Sequence, residues 1–512
     1  MTTFLRIHDV PAWWASRTPD AVALLDAGKT LGYAQLQSAI DDARAALAGL
    51  GIARGHRVLL VAENSLGLVA FVFAASSLGA SFVLVNARLS AEEIDAIAAH
   101  AQAQAEIYID AGFKEGVIHA LRRGAASLDC GLAGQVRANA RAHAFEPTSE
   151  AGMEDVGALI YTSGTTGKPK GVMLTHTGLL FVATTLAAYR KMSPADRSYA
   201  VLPMSHTMGL TSVLLGTLVA GGSVLVSPRF EVEALVEAIE TQGLSLFQGV
   251  QAMHSALLAH LRRRGHTLSR GRLRYIYAGG SPLDPTLKAE VEALFSLPLH
   301  NGYGMTENSP TICHSRFGEQ RDDASVGPPI PGVAIRIVDA EGKDVAAGES
   351  GELWASGPGV MRGYFRDPDS TQAALCGEWL RTGDIARQDA EGNVFLVGRI
   401  KEIIIRSGFN VYPAEVEAAL NAHPAVAQSA VVGREVERNE EVIAFVQRRP
   451  GHPLDDAMLQ AFLKERISPY KRPSHIVYLD ALPVMTSGKV QRAALKAMAS
   501  TMLLHPETVP SA

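Results

Sequence analysis

Short apolar runs rich in β-branched residues alternate along the chain with longer stretches of helical period. "HRVLLVAE" (His56 to Glu63) predicts a strand. "SAEEIDAIAAHAQA" (Ser90 to Ala103) predicts a helix, with Ser90 as N-cap and Glu93 closing a capping box. "AEIYID" predicts the next strand. The rhythm returns later: "GSVLVSP" as strand, "EVEALVEAIETQG" as a helix ended by Gly243, "LSLFQGV" as strand, "AMHSALLAHLRRRG" as a helix ended by Gly265, and "RLRYIYAGG" as strand. Two uncharged stretches need separate treatment. Leu66 to Val85 is long enough to cross a bilayer. Ser76, Ser77, Gly79 and Ser81 divide it, however, and a buried helix, a Gly turn and a buried strand account for it. Ser198 to Pro228 is interrupted by Pro203, His206 and Gly221-Gly222, so no transmembrane segment is expected in either.

Strands alternating with helices predict an α/β fold with parallel sheets covered on both faces. Ligands in such sheets lie at the carboxyl ends of strands. "QGV", "AGGSP" and "NGYGMTE" fall there. After Gly327 the texture changes to short strands and Gly-containing turns, which predicts a β-rich subdomain. From about Lys401 it changes again, to a small α+β pattern of about 110 residues. The expected organisation is a large N-terminal domain, 1–398, of two parallel-sheet α/β subdomains and the β-rich piece. A joint at 399–401, in "GRIKE", leads into a small mobile C-terminal domain, 402–512.

The length of 512 residues agrees with more than one domain. A hydrophobic content of 47% and a charged content of 19% belong to a well-buried globular chain. The net charge of -5 argues against a nucleic-acid partner, which would call for a basic excess. Cys130, Cys313 and Cys376 are odd in number and far apart, so neither a disulfide framework nor a zinc site is expected. The start of the chain lacks a basic segment followed by an apolar core, and a cytoplasmic location is expected.

One segment carries candidate chemistry by itself. "YTSGTTGKPKG" (Tyr161 to Gly171) follows the apolar run "VGALI" and is dense in hydroxyls, glycines and lysines. It is no Walker loop, because only Thr165 and Thr166 separate Gly164 from Gly167, and Pro169 follows Lys168. Its hydroxyls, Gly amides and lysine charge suit a phosphate compound, and a solvated hairpin turn explains the composition equally.

Further motifs decide between these readings. "NGYGMTE" (Asn301 to Glu307), "RTGDIA" (Arg381 to Ala386), "GRIKEIIIRSGFNVYPAEVE" (Gly398 to Glu417) and "SGKVQR" (Ser487 to Arg492) follow in order. With "YTSGTTGKPKG" they resemble the signatures of the adenylate-forming (AMP-forming) acyl-CoA synthetases and ligases, of fatty-acyl or 4-coumarate type. The resemblance covers nearly the whole chain. It implies that a carboxylic acid is joined to AMP with loss of pyrophosphate, and that the thiol of coenzyme A then displaces AMP. ATP, Mg²⁺ and coenzyme A are the implied cofactors. A small-molecule acid is the implied partner, and a homodimer is a further option.

The residue roles follow from the resemblance. Thr162, Ser163, Gly164, Thr165, Thr166, Gly167 and Lys170 are implied to hold the β- and γ-phosphates, and Thr306 to touch the α-phosphate. Glu307 is the implied Mg²⁺ ligand, a carboxylate for a hard cation. Gly302, Tyr303 and Gly304 are implied to sandwich adenine with Gly279 and Gly280. Asp384 is implied to accept both ribose hydroxyls, and Arg399 to reach ribose or phosphate. Lys489 is the implied catalytic cation of the first step, bridging carboxylate and α-phosphate. Lys401 takes the hinge position, Gly408 lines the thiol's path, and His206 stands beside the acid. Arg434, Arg438, Lys464, Lys471 and Arg472 are candidates for the phosphates of coenzyme A, or a solvated basic face.

The acid pocket is expected from "HTMGL", "FQGVQAM", "YAGGSPL" and "YGMTE", which carry no fixed charge apart from Glu307. Met204-Ser205 replaces the Asp-containing element that binds an amino group in peptide-synthetase domains. An unpaired ammonium in a dry pocket is costly, so amino acids are disfavoured. Gln251 replaces a usual Pro. A medium- or long-chain fatty acid, or an aryl acid, is the expected substrate. An acyl-AMP ligase loading a carrier protein and a non-catalytic nucleotide-binding protein are the alternatives.

Overall fold

The computed structural model describes residues 4–110, 112–141, 155–163, 169–281, 283–407, 409–436, 439–449, 451–484 and 490–501. Two large sheets hold most of the chain. One has eight strands, with Val156–Ser163, Ser81–Asn86, Arg57–Ala62 and Ala105–Ile109 running parallel at its centre. The other has seven, with Leu299–His300, Tyr275–Ala278, Leu246–Gly249, Arg197–Ala200, Ser223–Val226 and Val22–Asp26 all parallel. The expected parallel cores are present, but the sheets are mixed at their edges. Pro169–Thr175 pairs antiparallel with Val156–Ser163. Strands separated only by residues 164–168 cannot make a parallel crossover.

The stretch from Leu66 to Val85 forms a helix (Leu66–Ser77), a left-handed turn at Gly79 (φ +70°) and a strand (Ser81–Asn86). The helix is buried on all sides from Leu66 to Ser76, which explains its lack of a polar face. Among the described residues no helix is long and apolar enough to cross a membrane. Ser90 caps Ala91–Ala101, and the capping box with Glu93 is formed. Gly265 ends Gln251–Arg264 in the left-handed conformation.

The main core packs residues of both sheets together, from Leu60 and Phe71 to Leu210 and Val224. A five-stranded sheet containing Gly351–Ser356, Trp379–Gln388 and Val394–Arg399 forms the β-rich piece. The C-terminal part has its own core under the strands Val426–Val436, Asn439–Arg448 and His475–Leu479. The three cysteines are free.

Candidate active site

The phosphate-loop segment is carried by the antiparallel hairpin, with Thr162 opposite Lys170 and Ser163 opposite Pro169. Gly164, Thr165, Thr166 and Gly167 lie outside the described residues, as do Gly408 and Lys489. Lys170 donates from Nζ to Ser370 Oγ at 2.7 Å and stands 5.0 Å from the ring centre of Tyr364. Tyr364 belongs to a short edge strand that pairs with the same hairpin, Tyr364 opposite Val172. Its hydroxyl donates to Glu307 Oε1 at 2.9 Å. Glu307 sits in a 3₁₀ turn, Thr306–Asn308, with Thr306 half-buried beside it. The phosphate hairpin and the candidate metal carboxylate are therefore joined through one tyrosine that the motif analysis did not single out. Its signal in the sequence is an aromatic residue between a Gly and an Asp-Pro pair, in "GYFRDPD".

The segments "NGYGMTE" and "RTGDIA" also meet. Tyr303 donates its hydroxyl to Asp384 Oδ2, and Arg399 donates from Nε to Asp384 Oδ1 at 2.8 Å. Asp384 and Arg399 face each other on adjacent strands. Burial, followed by the Asp384 carboxylate, pushes the Tyr303 phenol well above its ordinary value, so it remains a donor. Each carboxylate oxygen has a second lone pair for a sugar hydroxyl. Gly302, Tyr303 and Gly304 lie on a two-stranded ribbon opposite His314, Cys313 and Thr311. A Cβ on Gly304 would fall 2.0 Å from the Pro310 carbonyl oxygen, so no side chain is tolerated there. Gly279 and Gly280 end the neighbouring strand Tyr275–Ala278, and Gly280 has φ +88°.

His206 is exposed, in the turn entering a π-helical segment, Met208–Leu215. Its loop is clamped by Asn64, a residue absent from the motif reading. Asn64 donates to the carbonyls of Ala200 and Leu202, both at 2.9 Å, and accepts from the Met204 amide at 2.8 Å. Asn64 is 2% exposed and follows the strand Arg57–Ala62, so one side chain fastens the two large sheets where their carboxyl ends meet. Gln251 holds the Asp284 amide at 2.7 Å and donates to Ser281 Oγ at 2.7 Å. In place of a stiff ring, it ties the start of its helix to the loop after Gly280.

Lys401 lies in a 3₁₀ turn, Ile400–Glu402, directly after the strand bearing Arg399. Arg492, close after the position of Lys489, forms a bidentate pair with Glu417 at 2.7 and 2.9 Å and reaches Glu402 at 3.2 Å. The basic candidates for coenzyme A are mostly engaged. Arg434 is buried against Glu441, Lys471 pairs with Glu415, and Arg472 donates to the carbonyls of Ile467 and Lys464. Lys464 is exposed, and Arg438 is outside the described residues. Of these candidates, Arg434 and Lys471 are held in ion pairs, and Arg434 is buried, so neither belongs to a solvated basic face.

Glu307 fits a Mg²⁺ site of the sparse kind, because Mg²⁺ is held by one or two carboxylates together with phosphate oxygens. No cluster of three or more metal-binding side chains occurs among the described residues, and such a site requires none.

Residues 11–365 match the family model "AMP-binding enzyme", and residues 415–489 match "AMP-binding enzyme C-terminal domain". The chain is 34% identical to a feruloyl-CoA synthase of Amycolatopsis sp, over 95% of this chain and 97% of the relative. It is 33% identical to an indoleacetate–CoA ligase of Aromatoleum aromaticum, over 96% and 98%. Among solved structures, the o-succinylbenzoate CoA synthetase of Bacillus subtilis with its acyl-adenylate intermediate superposes with a TM-score of 0.81 at 29% identity, covering 95% of this chain and 97% of that one. ATP-bound MatB from Rhodopseudomonas palustris gives 0.84 at 28% identity, over 96% and 98%. The chain belongs to the AMP-binding enzyme family, as an AMP-forming acid–CoA ligase.

Proposed function

We propose that the chain activates an aryl carboxylic acid with ATP and transfers the acyl group to coenzyme A. The acid's carboxylate oxygen attacks the α-phosphorus of ATP, and pyrophosphate leaves. The sulfur of coenzyme A, its proton released to solvent, then attacks the acyl carbon, and AMP leaves with the electron pair of the broken C–O bond. Both partners of the first step are anions, so catalysis is charge neutralisation and positioning. Glu307 would hold Mg²⁺, which would supply charge for the phosphate oxygens. Thr162, Ser163, Gly164, Thr165, Thr166, Gly167 and Lys170 bind the outer phosphates, and Thr306 the α-phosphate. Tyr303 and the glycines at 279, 280, 302 and 304 hold adenine. Asp384, oriented by Tyr303 and Arg399, binds the ribose. Lys489 bridges the reacting oxygens, and His206 orients the acid.

The observation that carries this reading is the Tyr303–Asp384–Arg399 contact, which brings the segments "NGYGMTE", "RTGDIA" and "GRIKE" together. The aryl class is supported by relatives named for feruloyl and indoleacetate substrates. It agrees with pocket segments that carry no cation to pair with a second carboxylate. The domain plan (1–398, a joint at 399–401, and 402–512) belongs to the same proposal: rotation about Lys401 withdraws Lys489 and presents Gly408 to the thiol.

A panel of aryl and fatty acids, read by pyrophosphate release and by the acyl-CoA formed, tests the proposal. Aryl acids should give the highest kcat/KM. Pyrophosphate release without any CoA thioester would point to a carrier-protein ligase. No release with any acid would overturn the enzymatic reading itself.

A further inference from the structure

We propose that Tyr277 is the floor of the acid pocket and selects a compact acid whose far end carries a hydrogen-bond acceptor. This inference rests on the reading of the chain as an acid–CoA ligase and specifies the acid.

Tyr277 lies on the strand Tyr275–Ala278, in the segment "YAGGSPL" that borders the expected pocket. Its ring fills the space that side chains at Gly279 and Gly302 would occupy, two glycines proposed at adenine whose segments also border the acid. A Cβ on Gly279 would lie 2.6 Å from the Tyr277 Cε1 atom and 2.7 Å from its hydroxyl oxygen. A Cβ on Gly302 would lie 2.9 Å from the same oxygen. The hydroxyl therefore sits between Gly279 and Gly302.

Its bonding is unusual beside that of its neighbour. Residues two apart on a strand share a face, and Tyr275 and Tyr277 stack with ring centres 6.4 Å apart. Tyr275 is fully buried and its hydroxyl bonds His314 Nε2 at 2.8 Å. Tyr277 is 8% exposed, and among the described residues its hydroxyl has no hydrogen-bond partner. The Tyr277 hydroxyl keeps some accessible surface, in contrast to the enclosed and unpartnered Tyr199 hydroxyl, so it can meet a ligand atom. Burial pushes this phenol up to about 12, so at neutral pH it offers a proton.

The ring cannot withdraw. His314 packs against it at 5.3 Å, and the Arg190 guanidinium stands 6.0 Å from its centre. Arg190 is 1% exposed and is pinned by the carbonyl of Ser212 at 3.1 Å and by Ser212 Oγ at 2.9 Å. Ser212 in turn donates to Gln248 Oε1 at 2.8 Å. A floor braced in this way limits how far an acid can extend, and long alkyl chains are excluded.

The test compares ring acids that differ only in a distal hydroxyl or methoxy group, together with straight-chain acids of increasing length. Full-length protein and the Tyr277→Phe and Tyr277→Ala variants are read by acid-dependent pyrophosphate release. The unaltered enzyme should favour the acceptor-bearing ring acid over its plain analogue by about tenfold or more in kcat/KM. Tyr277→Phe, which keeps the packing, should bring that ratio close to one. Tyr277→Ala should shift the length optimum towards longer acids. Activity with acids whose ratio and length optimum are the same in all three proteins would overturn this inference while leaving the ligase reading intact. A tenfold change in ATP affinity with an unchanged acid ratio would overturn it too, by assigning the hydroxyl to the nucleotide. No pyrophosphate release from the unaltered enzyme with any acid would instead remove the ligase reading on which it rests.

Discussion

The Tyr364 hydroxyl donates to Glu307 Oε1 at 2.9 Å, while the strand that carries Tyr364 pairs with the phosphate hairpin at Val172. One residue thus ties a carboxylate suited to a divalent cation to the strand Pro169–Thr175. A carboxylate aimed by a neutral donor keeps its charge for a cation, whereas an ion-paired carboxylate would share it.

Replacing Tyr364 by Phe should therefore raise the Mg²⁺ concentration needed for half-maximal adenylation, by about tenfold. Titration of pyrophosphate release against Mg²⁺, with calorimetry of ATP binding with and without the metal, reads the effect. An unchanged Mg²⁺ requirement would dissociate Tyr364 from the metal carboxylate.

Asn64 spends its amide on the backbone that leads to His206. Asn64→Ala leaves three buried backbone groups without that partner and should cost roughly 2–4 kcal/mol of stability. Asn64→Asp keeps the acceptor for the Met204 amide but loses the donors to Ala200 and Leu202. In that variant the KM for the acid should rise more than the KM for ATP. Equal changes in both would mean that Asn64 supports the fold without placing the His206 loop.

Lys489 and Arg492 should separate in the two half-reactions. Lys489→Ala should cripple adenylation and spare thioester formation from supplied acyl-AMP, because charge at the α-phosphate matters only in the first step. Arg492→Ala removes a cation held by Glu417 and Glu402. It should lower both rates and the melting temperature, because it fastens the segment to its domain. Equal loss in both half-reactions for Lys489→Ala would reject its assigned role.

Stability should fall as the solution is acidified below neutrality. Burial depresses His176 to about 3 and both His254 and His300 to about 4, from an ordinary value of 6.5. The unfolded chain therefore binds more protons than the folded one between those limits. The contribution of these histidines is complete above pH 6.5 and is lost as pH falls towards 4 and below, by up to about 1.4 kcal/mol per pH unit for each. Melting temperatures measured from pH 7.5 to 5 check the sign. His254→Gln should flatten the slope, and an unchanged slope would exclude that residue as a source.

Much of the fold was legible because its signals are local. The helix Ala91–Ala101 was announced by its own capping box, and the stretch from Leu66 to Val85 by its Gly79 break. The edges of the sheets were not legible. Val22–Asp26 pairs with Ser223–Val226 across some two hundred residues, and nothing in either run names the other. The same divide separates the site residues. Glu307, Asp384 and Lys170 stand inside motifs, whereas Asn64 sits in an unremarked polar break and matters through the backbone carbonyls and amide it meets.

The sequence by itself determined which residue types stand together in the motifs: hydroxyls and glycines beside Lys170, carboxylates at Glu307 and Asp384, and cations at Arg399 and Lys489. Those choices are chemical, and each is complete within a few adjacent positions. Only the tertiary structure decided which of these groups touch. It passed Glu307 to Tyr364, joined Tyr303 to Asp384, consumed Arg434 in a buried ion pair and left the hydroxyl of Tyr277 open between Gly279 and Gly302. The physical reason is that contacts between distant segments are set by sheet order and packing of the whole core, which no short stretch of sequence contains.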